Sequence, residues 1–177
     1  MAAIGYDMLV NAGYVAVGFD HFARPGDALA QATIAGNLRR NFQGFTEDQA
    51  ETVIGLGASS ISAFPGVFVQ NAKNAGRYRE KLAAGEWPGV LGVVRSPEDR
   101  LRGRIISALL CQGRADVGGA LAASVAPALA PFVARGLVEV EAGVIAILPA
   151  GLPYARTIAA LFDPYRVKEG ARFSSAV

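Results

Sequence analysis

The period of the apolar positions changes several times along the first half of the chain. Over residues 3–12, Ile4, Met8, Leu9 and Ala12 fall on one helical face, which predicts a helix, and Gly13 suits the position that closes it. Residues 14–19 are unbroken apolar chain apart from Gly18 and predict a buried strand. A helix running straight into a buried strand is half of a βα repeat, so the chain is expected to open in mid-repeat of a parallel α/β fold. Arg24-Pro25-Gly26-Asp27 is turn chemistry, and residues 28–35 form a short helix closed by Gly36-Asn37. Thr46 with Gln49 matches a capping box and predicts a helix through Val53, ended at residues 55–57. Residues 60–63 and 66–70 read as strands broken at Pro65-Gly66. A helix follows over 73–84, then a connector at Trp87-Pro88-Gly89 and a strand over 90–94.

The second half reads differently. Ser96-Pro97-Glu98-Asp99 combines a serine cap, proline at the first helical position and acids in the first turn. The helix it starts turns Leu101, Ile105, Ile106, Leu109 and Cys111 inward and Arg100, Arg102 and Arg104 outward. Two further helices are predicted over 117–124 and 126–134, with Gly136 as the stop. A hairpin follows about Ala142-Gly143, and a last helix over 152–162 ends at Asp163-Pro164. Helix, helix, hairpin, helix is a winged-helix-like order.

Composition narrows this picture only slightly. An apolar content of 52% with 18% charged residues describes a core-forming chain, and a net charge of +2 demands neither nucleic acid nor an acidic surface. A single cysteine, Cys111, excludes an internal disulfide and agrees with a reducing, cytoplasmic setting. The uncharged run over 117–134 holds two glycines, two prolines and much alanine, which favours a buried helix over a membrane span.

The chemistry is concentrated before residue 62. Asp20 and His21 follow the strand at 14–19, where a barrel-like α/β fold opens its mouth. They face a ligand there, or else Asp20 caps a turn and His21 is bonded within a loop. His21 is the only histidine, so no two-histidine metal site exists. From Arg39 and Arg40 the chain runs through Asn41-Phe42-Gln43-Gly44-Phe45, a poor core segment but a good pocket wall. Gly55-Leu56-Gly57-Ala58-Ser59-Ser60-Ile61 follows, where a backbone can come close to a ligand or simply turn into a strand.

Taken together, Gly18-Phe19-Asp20-His21-Phe22-Ala23-Arg24-Pro25, Arg40-Asn41-Phe42-Gln43-Gly44-Phe45-Thr46 and Gly55 to Ile61 resemble the oxygen-independent coproporphyrinogen III oxidases of the radical SAM superfamily. Val69-Gln70-Asn71 and Glu98-Asp99-Arg100-Leu101-Arg102 continue the resemblance in order. It covers nearly the whole chain, but only the C-terminal part of such an enzyme, because the Cys-x3-Cys-x2-Cys hallmark is absent.

The resemblance implies a fold: the α/β end of a partial (βα) radical SAM barrel over residues 1–75, a connector over 76–95, and a small, mostly α, winged-helix-like domain over 96–177. The tail from Arg172 looks like a family terminus, which puts the missing part on the N-terminal side. It implies the radical-driven oxidative decarboxylation of coproporphyrinogen III to protoporphyrinogen IX, with a 4Fe-4S cluster and S-adenosylmethionine as cofactors of the full-length enzymes. It places Phe42, Gln43 and Ile61 at S-adenosylmethionine. It leaves Arg24, Arg39 and Arg40 as candidate partners for substrate carboxylates, or as ordinary surface charge. No metal ligand is expected on this chain, and the chain alone is expected to be inactive without the missing radical SAM portion. Two rivals remain: a haem-chaperone-like paralogue, which carries His-Asn-x-x-Tyr-Trp where this chain has Arg40 to Phe45, and a DNA-binding winged-helix module, disfavoured because residues 126–135 offer one arginine among alanines and prolines.

Overall fold

A computed structural model of the chain describes residues 2–166. Helix α1 (Ala2–Asn11) leads into a hairpin of β1 (Val15–Val17) and β2 (His21–Ala23). Helix α2 (Ala28–Ile34) is capped by Asp27, whose side chain accepts from the Leu29 amide, and a second small hairpin joins β3 (Arg39–Arg40) to β4 (Phe45–Thr46). Then β5 (Ile61–Ala63), β6 (Val67–Asn71) and β7 (Gly89–Val94) form an antiparallel meander with β6 central, and α3 (Ala75–Ala83) bridges β6 to β7. Residues 76–95 thus hold α3 and a sheet strand.

The second half begins with α4 (Pro97–Gln112), whose cap is the one its sequence announces. Ser96 Oγ accepts from the Asp99 amide at 3.1 Å, and the Asp99 carboxylate accepts from the Ser96 amide at 2.8 Å. A short β8 (Arg114–Asp116), helix α5 (Gly118–Val133) and the hairpin β9 (Val138–Glu141) and β10 (Val144–Ile147) follow, with β10 between β8 and β9. The chain closes through a 3-10 turn at Pro149–Tyr154, helix α6 (Ala155–Ala159) and a 3-10 turn at Ala160–Phe162. The expected family terminus from Arg172 lies outside the described residues.

Three expectations are corrected. The strand near 14–19 does not belong to a parallel βα repeat: β1 pairs antiparallel with β2, Val15 opposite Ala23 and Val17 opposite His21, because Gly18 turns the chain back at once. Every strand pair among the described residues is antiparallel, and no barrel closes. The capping-box helix after Thr46 is absent. Thr46 lies in β4 opposite Arg39, and the Gln49 amide donates to the carbonyls of Asn37 and Glu47 instead of reaching back to a helix start. Residues 117–134, expected as two helices, are one. Pro127 and Pro131 lie four apart on the exposed face, where the carbonyls they leave unbonded meet water, while Val125 and Leu129 hold the inner face in the core.

Two apolar clusters result. The larger runs through Ile105, Leu109, Val125, Leu129, Ile145, Ile158 and Phe162, and joins α4, α5, the β8–β10 sheet and α6. The smaller gathers Val17, Ala23, Ala30, Ala32, Leu38 and Cys111 under the two small hairpins. Helix α4 feeds both: Ile105 and Leu109 go to the first, Cys111 to the second, and the Gln112 amide donates to the Leu38 carbonyl at 3.0 Å. Phe19 reaches the other way and packs on the larger cluster. These shared residues fix the two hairpins against α4 and α6.

Candidate functional site

The site grows from the turn between β1 and β2. Gly18 takes φ +60, and a Cβ there would lie 2.1 Å from Phe45 Cζ, so only glycine lets the Phe45 ring sit over the turn. That ring is in edge contact with Phe19 at 5.7 Å and with His21 at 5.1 Å. The turn also presents Asp20, whose Oδ1 lies 2.7 Å from His21 Nδ1. An ionised carboxylate only accepts, so Nδ1 carries the proton and Nε2 is left free. The other carboxylate oxygen of Asp20 faces Arg156 Nη2 at 3.6 Å, and the Arg156 guanidinium lies over the Phe19 ring, 5.1 Å from its centre. Asp20 therefore bonds its neighbour and pairs across the molecule.

The β3–β4 turn orders the next group. Asn41 Oδ1 accepts from the amides of Gln43 and Gly44, which winds the turn and throws Phe42 and Gln43 outward. Phe42 is 55% exposed and meets Phe68 edge-on at 5.0 Å. On the meander, Ile61 stands opposite Gln70 and Ala63 opposite Phe68, so Ile61 and Phe68 share a face. Phe42, carried by a different sheet, thus meets the face that bears Ile61.

The glycine- and serine-rich run before Ile61 is held from inside. The Gly55 amide donates to Ser62 Oγ, Asn71 donates to the carbonyls of Gly55 and Gly57, and the Gly57 amide donates to the Tyr78 hydroxyl. A Cβ on Gly55 would lie 2.8 Å from the backbone of Ile61. The close approach that Gly55 permits is to the chain itself, and it sets the position of Ile61.

The three candidate arginines separate. Arg39 donates to the Gln49 carbonyl and anchors the loop that replaces the expected helix. Arg40 is exposed with its guanidinium 5.8 Å from the centre of the Phe45 ring. Arg24 is exposed beyond β2 and makes no ion pair or ring contact among the described residues. His21, held by Asp20, and Arg40 therefore both contact Phe45, Phe42 and Ile61 border a second face, and Gln43 is exposed on the β3–β4 turn. Sequence reasoning missed Arg156, Phe68 and the central position of Phe45. Phe45 stood in a quoted motif, whereas nothing in the spacing of Arg156 signals its partner.

Cys111 is buried in the smaller cluster. Burial pushes its thiol up to about 11, against a weaker downward pull from Arg40. Cluster ligation needs several thiolates, so the residues present do not fit an iron–sulfur cluster. Among the described residues no three His, Cys, Asp or Glu side chains stand together as a metal site, and no helix is long and apolar enough to cross a membrane.

Comparison with known proteins gives a class first. The fold superimposes on coproporphyrinogen III oxidase of Escherichia coli, a radical SAM enzyme, with a TM-score of 0.84 and 31% identity, over 92% of this chain and 40% of that one. The sequence is 44% identical to an oxygen-independent coproporphyrinogen III oxidase of Paracoccus denitrificans over 167 residues, which is 90% of this chain and 37% of the relative. It is 45% identical to that of Cereibacter sphaeroides over 161 residues, 86% of this chain and 36% of the relative. No protein-family model matches. In sequence and in fold the chain corresponds to a C-terminal portion of the oxygen-independent coproporphyrinogen III oxidases, and it spans about two-fifths of their length.

Proposed function

We propose that the chain provides the C-terminal, ligand-facing part of an oxygen-independent coproporphyrinogen III oxidase and acts in the cytoplasm in porphyrin biosynthesis. The observation that carries this reading is the combination of 44% identity with the Paracoccus relative and a TM-score of 0.84 with the Escherichia coli enzyme. In this reading the part before Ser96, whose β5–β7 sheet takes its third strand from β7, adjoins the radical SAM barrel of the whole enzyme, and the part from Ser96 forms the small winged-helix-like domain. That domain serves packing and not DNA: α5 carries no charged residue, so it has nothing to read bases or phosphates.

The residues divide the work. Phe42 and Ile61 offer apolar surface and Gln43 an amide, a set that fits the adenine and amino-acid parts of S-adenosylmethionine. When bound, that group supplies the radical that oxidises the substrate. Asp20 fixes the ring of His21 with Nε2 toward the ligand, and Arg40 offers a guanidinium to substrate carboxylates. The cluster finds no ligands here, so the chain is inactive alone, and its partner is the preceding radical SAM portion of the enzyme. The test is a chimera in which this chain replaces the matching part of the Paracoccus enzyme. The expected result is anaerobic conversion of coproporphyrinogen III by the chimera and none by the isolated chain. A folded chimera that loads S-adenosylmethionine and cluster yet leaves coproporphyrinogen III unchanged rejects the reading.

A further inference from the structure

We propose that Arg156, on α6, is a second carboxylate-binding residue of this site, working with Arg40 across the Phe19–Phe45 pair. The inference rests on the proposed function for its ligand, a tetrapyrrole bearing several carboxylates. It adds that the C-terminal region touches that ligand directly.

Four observations support it. The Arg156 side chain is 59% exposed, and its ionic partner among the described residues, Asp20, lies at 3.6 Å, beyond ordinary hydrogen-bond length. Its guanidinium lies over Phe19 at 5.1 Å. Stacking of this kind holds the guanidinium plane while leaving N–H groups at its edge to receive a carboxylate in a two-pronged bond. Arg40 stands in the same relation to Phe45, with its guanidinium 5.8 Å from the ring centre, and the two rings touch edge-on. Each ring of one aromatic pair therefore carries a guanidinium, an arrangement suited to a ligand with an apolar ring body and acidic arms. Arg39 serves as the internal contrast. It is the chain neighbour of Arg40, but its guanidinium is bonded to the Gln49 carbonyl.

Asp20 sets the direction of approach. Its carboxylate lies between His21 Nδ1 and Arg156, so an incoming carboxylate meets Arg156 on the edge away from Asp20. His21, bonded to Asp20 through Nδ1, keeps Nε2 as a further hydrogen-bonding atom. Arg156 is thus a binding and positioning residue, not a group that takes part in bond breaking.

The experiment titrates the 177-residue chain with coproporphyrin III, the stable oxidised ring bearing the same four carboxylates, and reads its fluorescence. The tetramethyl ester is titrated in parallel, and thermal melting checks the fold of each variant. Arg156→Ala and Arg40→Ala are each expected to weaken coproporphyrin binding about tenfold, the loss of one charge-assisted carboxylate contact. Arg156→Lys is expected to recover part of that loss, and the control Arg135→Ala to change nothing. Binding of the ester should be indifferent to Arg156. Coproporphyrin binding that is unchanged in Arg156→Ala but weakened in Arg40→Ala overturns the inference and leaves the proposed function standing. Equal losses for acid and ester also overturn it, since they show a purely structural role. A wild-type chain that ignores coproporphyrin at any concentration overturns the inference that this chain's own residues hold the carboxylates, while the proposed function is decided separately by the chimera.

Discussion

The regions on either side of Ser96 are built from similar residues but close on themselves to different degrees. After Ser96, α4, α5, α6 and a three-stranded sheet surround one continuous core in which Phe162, Ile158 and Ile145 are fully buried. Before Ser96, the two small hairpins share a thin cluster of mostly alanine and valine, the β5–β7 sheet stands outside it, and large apolar side chains stay exposed: Ile4, Met8, Leu56 at 84% exposure, Leu91, Val93 and Val94 at 81%. The residues proposed to meet ligand lie almost entirely in this less closed region. The open region thus leaves side chains exposed for a ligand, and the closed region supplies the rigid support behind them.

The largest test of this contrast deletes one side chain from each cluster. Phe162→Ala is expected to cost about 3–5 kcal/mol, and Val17→Ala about 2 kcal/mol, because the first removes far more buried surface from a core that cannot refill. Urea melts followed by far-ultraviolet circular dichroism, which reports α4 and α5, and by fluorescence of Trp87, the only tryptophan, give the two losses. The Phe162 variant should shift the dichroism transition most. Equal shifts in both variants and both probes would mean that one core, not two, holds the chain.

A smaller effect concerns the joint between the regions. Cys111 is the only thiol, and it sits where α4 enters the thin cluster. With its thiol pushed up to about 11, labelling at pH 8 is expected to be slow. Gln112→Ala removes the bond to the Leu38 carbonyl and should speed labelling about fivefold, the effect of roughly 1 kcal/mol. Labelling at the rate of global unfolding in both proteins would show that the hairpins never part from α4 separately.

The smallest effect is confined to the closed region. Ser96→Ala should cost about 1 kcal/mol of stability at neutral pH. The Ser96 hydroxyl, then the Ser96 amide, hold the Asp99 carboxyl below its ordinary value, with a lesser contribution from the Tyr165 hydroxyl. A depressed carboxylate contributes stability that is present above its unfolded value and is lost as pH falls through the lower, folded one. The difference between wild type and Ser96→Ala should therefore shrink in acid below the usual carboxylate range, as seen in urea midpoints taken at several pH values. A constant difference would remove Asp99 from the cap.

The parts legible in the sequence were those specified by neighbours. Ser96 to Asp99 start α4 with groups no more than three residues apart, and the hairpin about Ala142-Gly143 has its turn and its alternation in one short run. The parts misread depended on distant groups. Thr46 and Gln49 carry a valid capping signal, but pairing of Thr46 with Arg39 overrides it. Strands of two or three residues, such as β3, β4 and β8, are too short to show a period. Pro127 and Pro131 cost their helix least where the carbonyls they free face water, and exposure is not written locally. In the site, Asp20, His21, Phe42 and Ile61 stood out through their motifs. Arg156 did not, because its role depends on Phe19 and Asp20, which reach it only through the fold.

The contact between Gly18 and Phe45 bears on inheritance. The ring fills the space where any side chain at position 18 would grow, so a mutation at either position is judged against the other. A lineage that gained even a methyl group at 18 would need a compensating, smaller residue at 45 before the turn could re-form. The two motifs, far apart in the gene, are thereby bound into a single unit of descent, and second-site suppressors of damage to one should be recovered in the other.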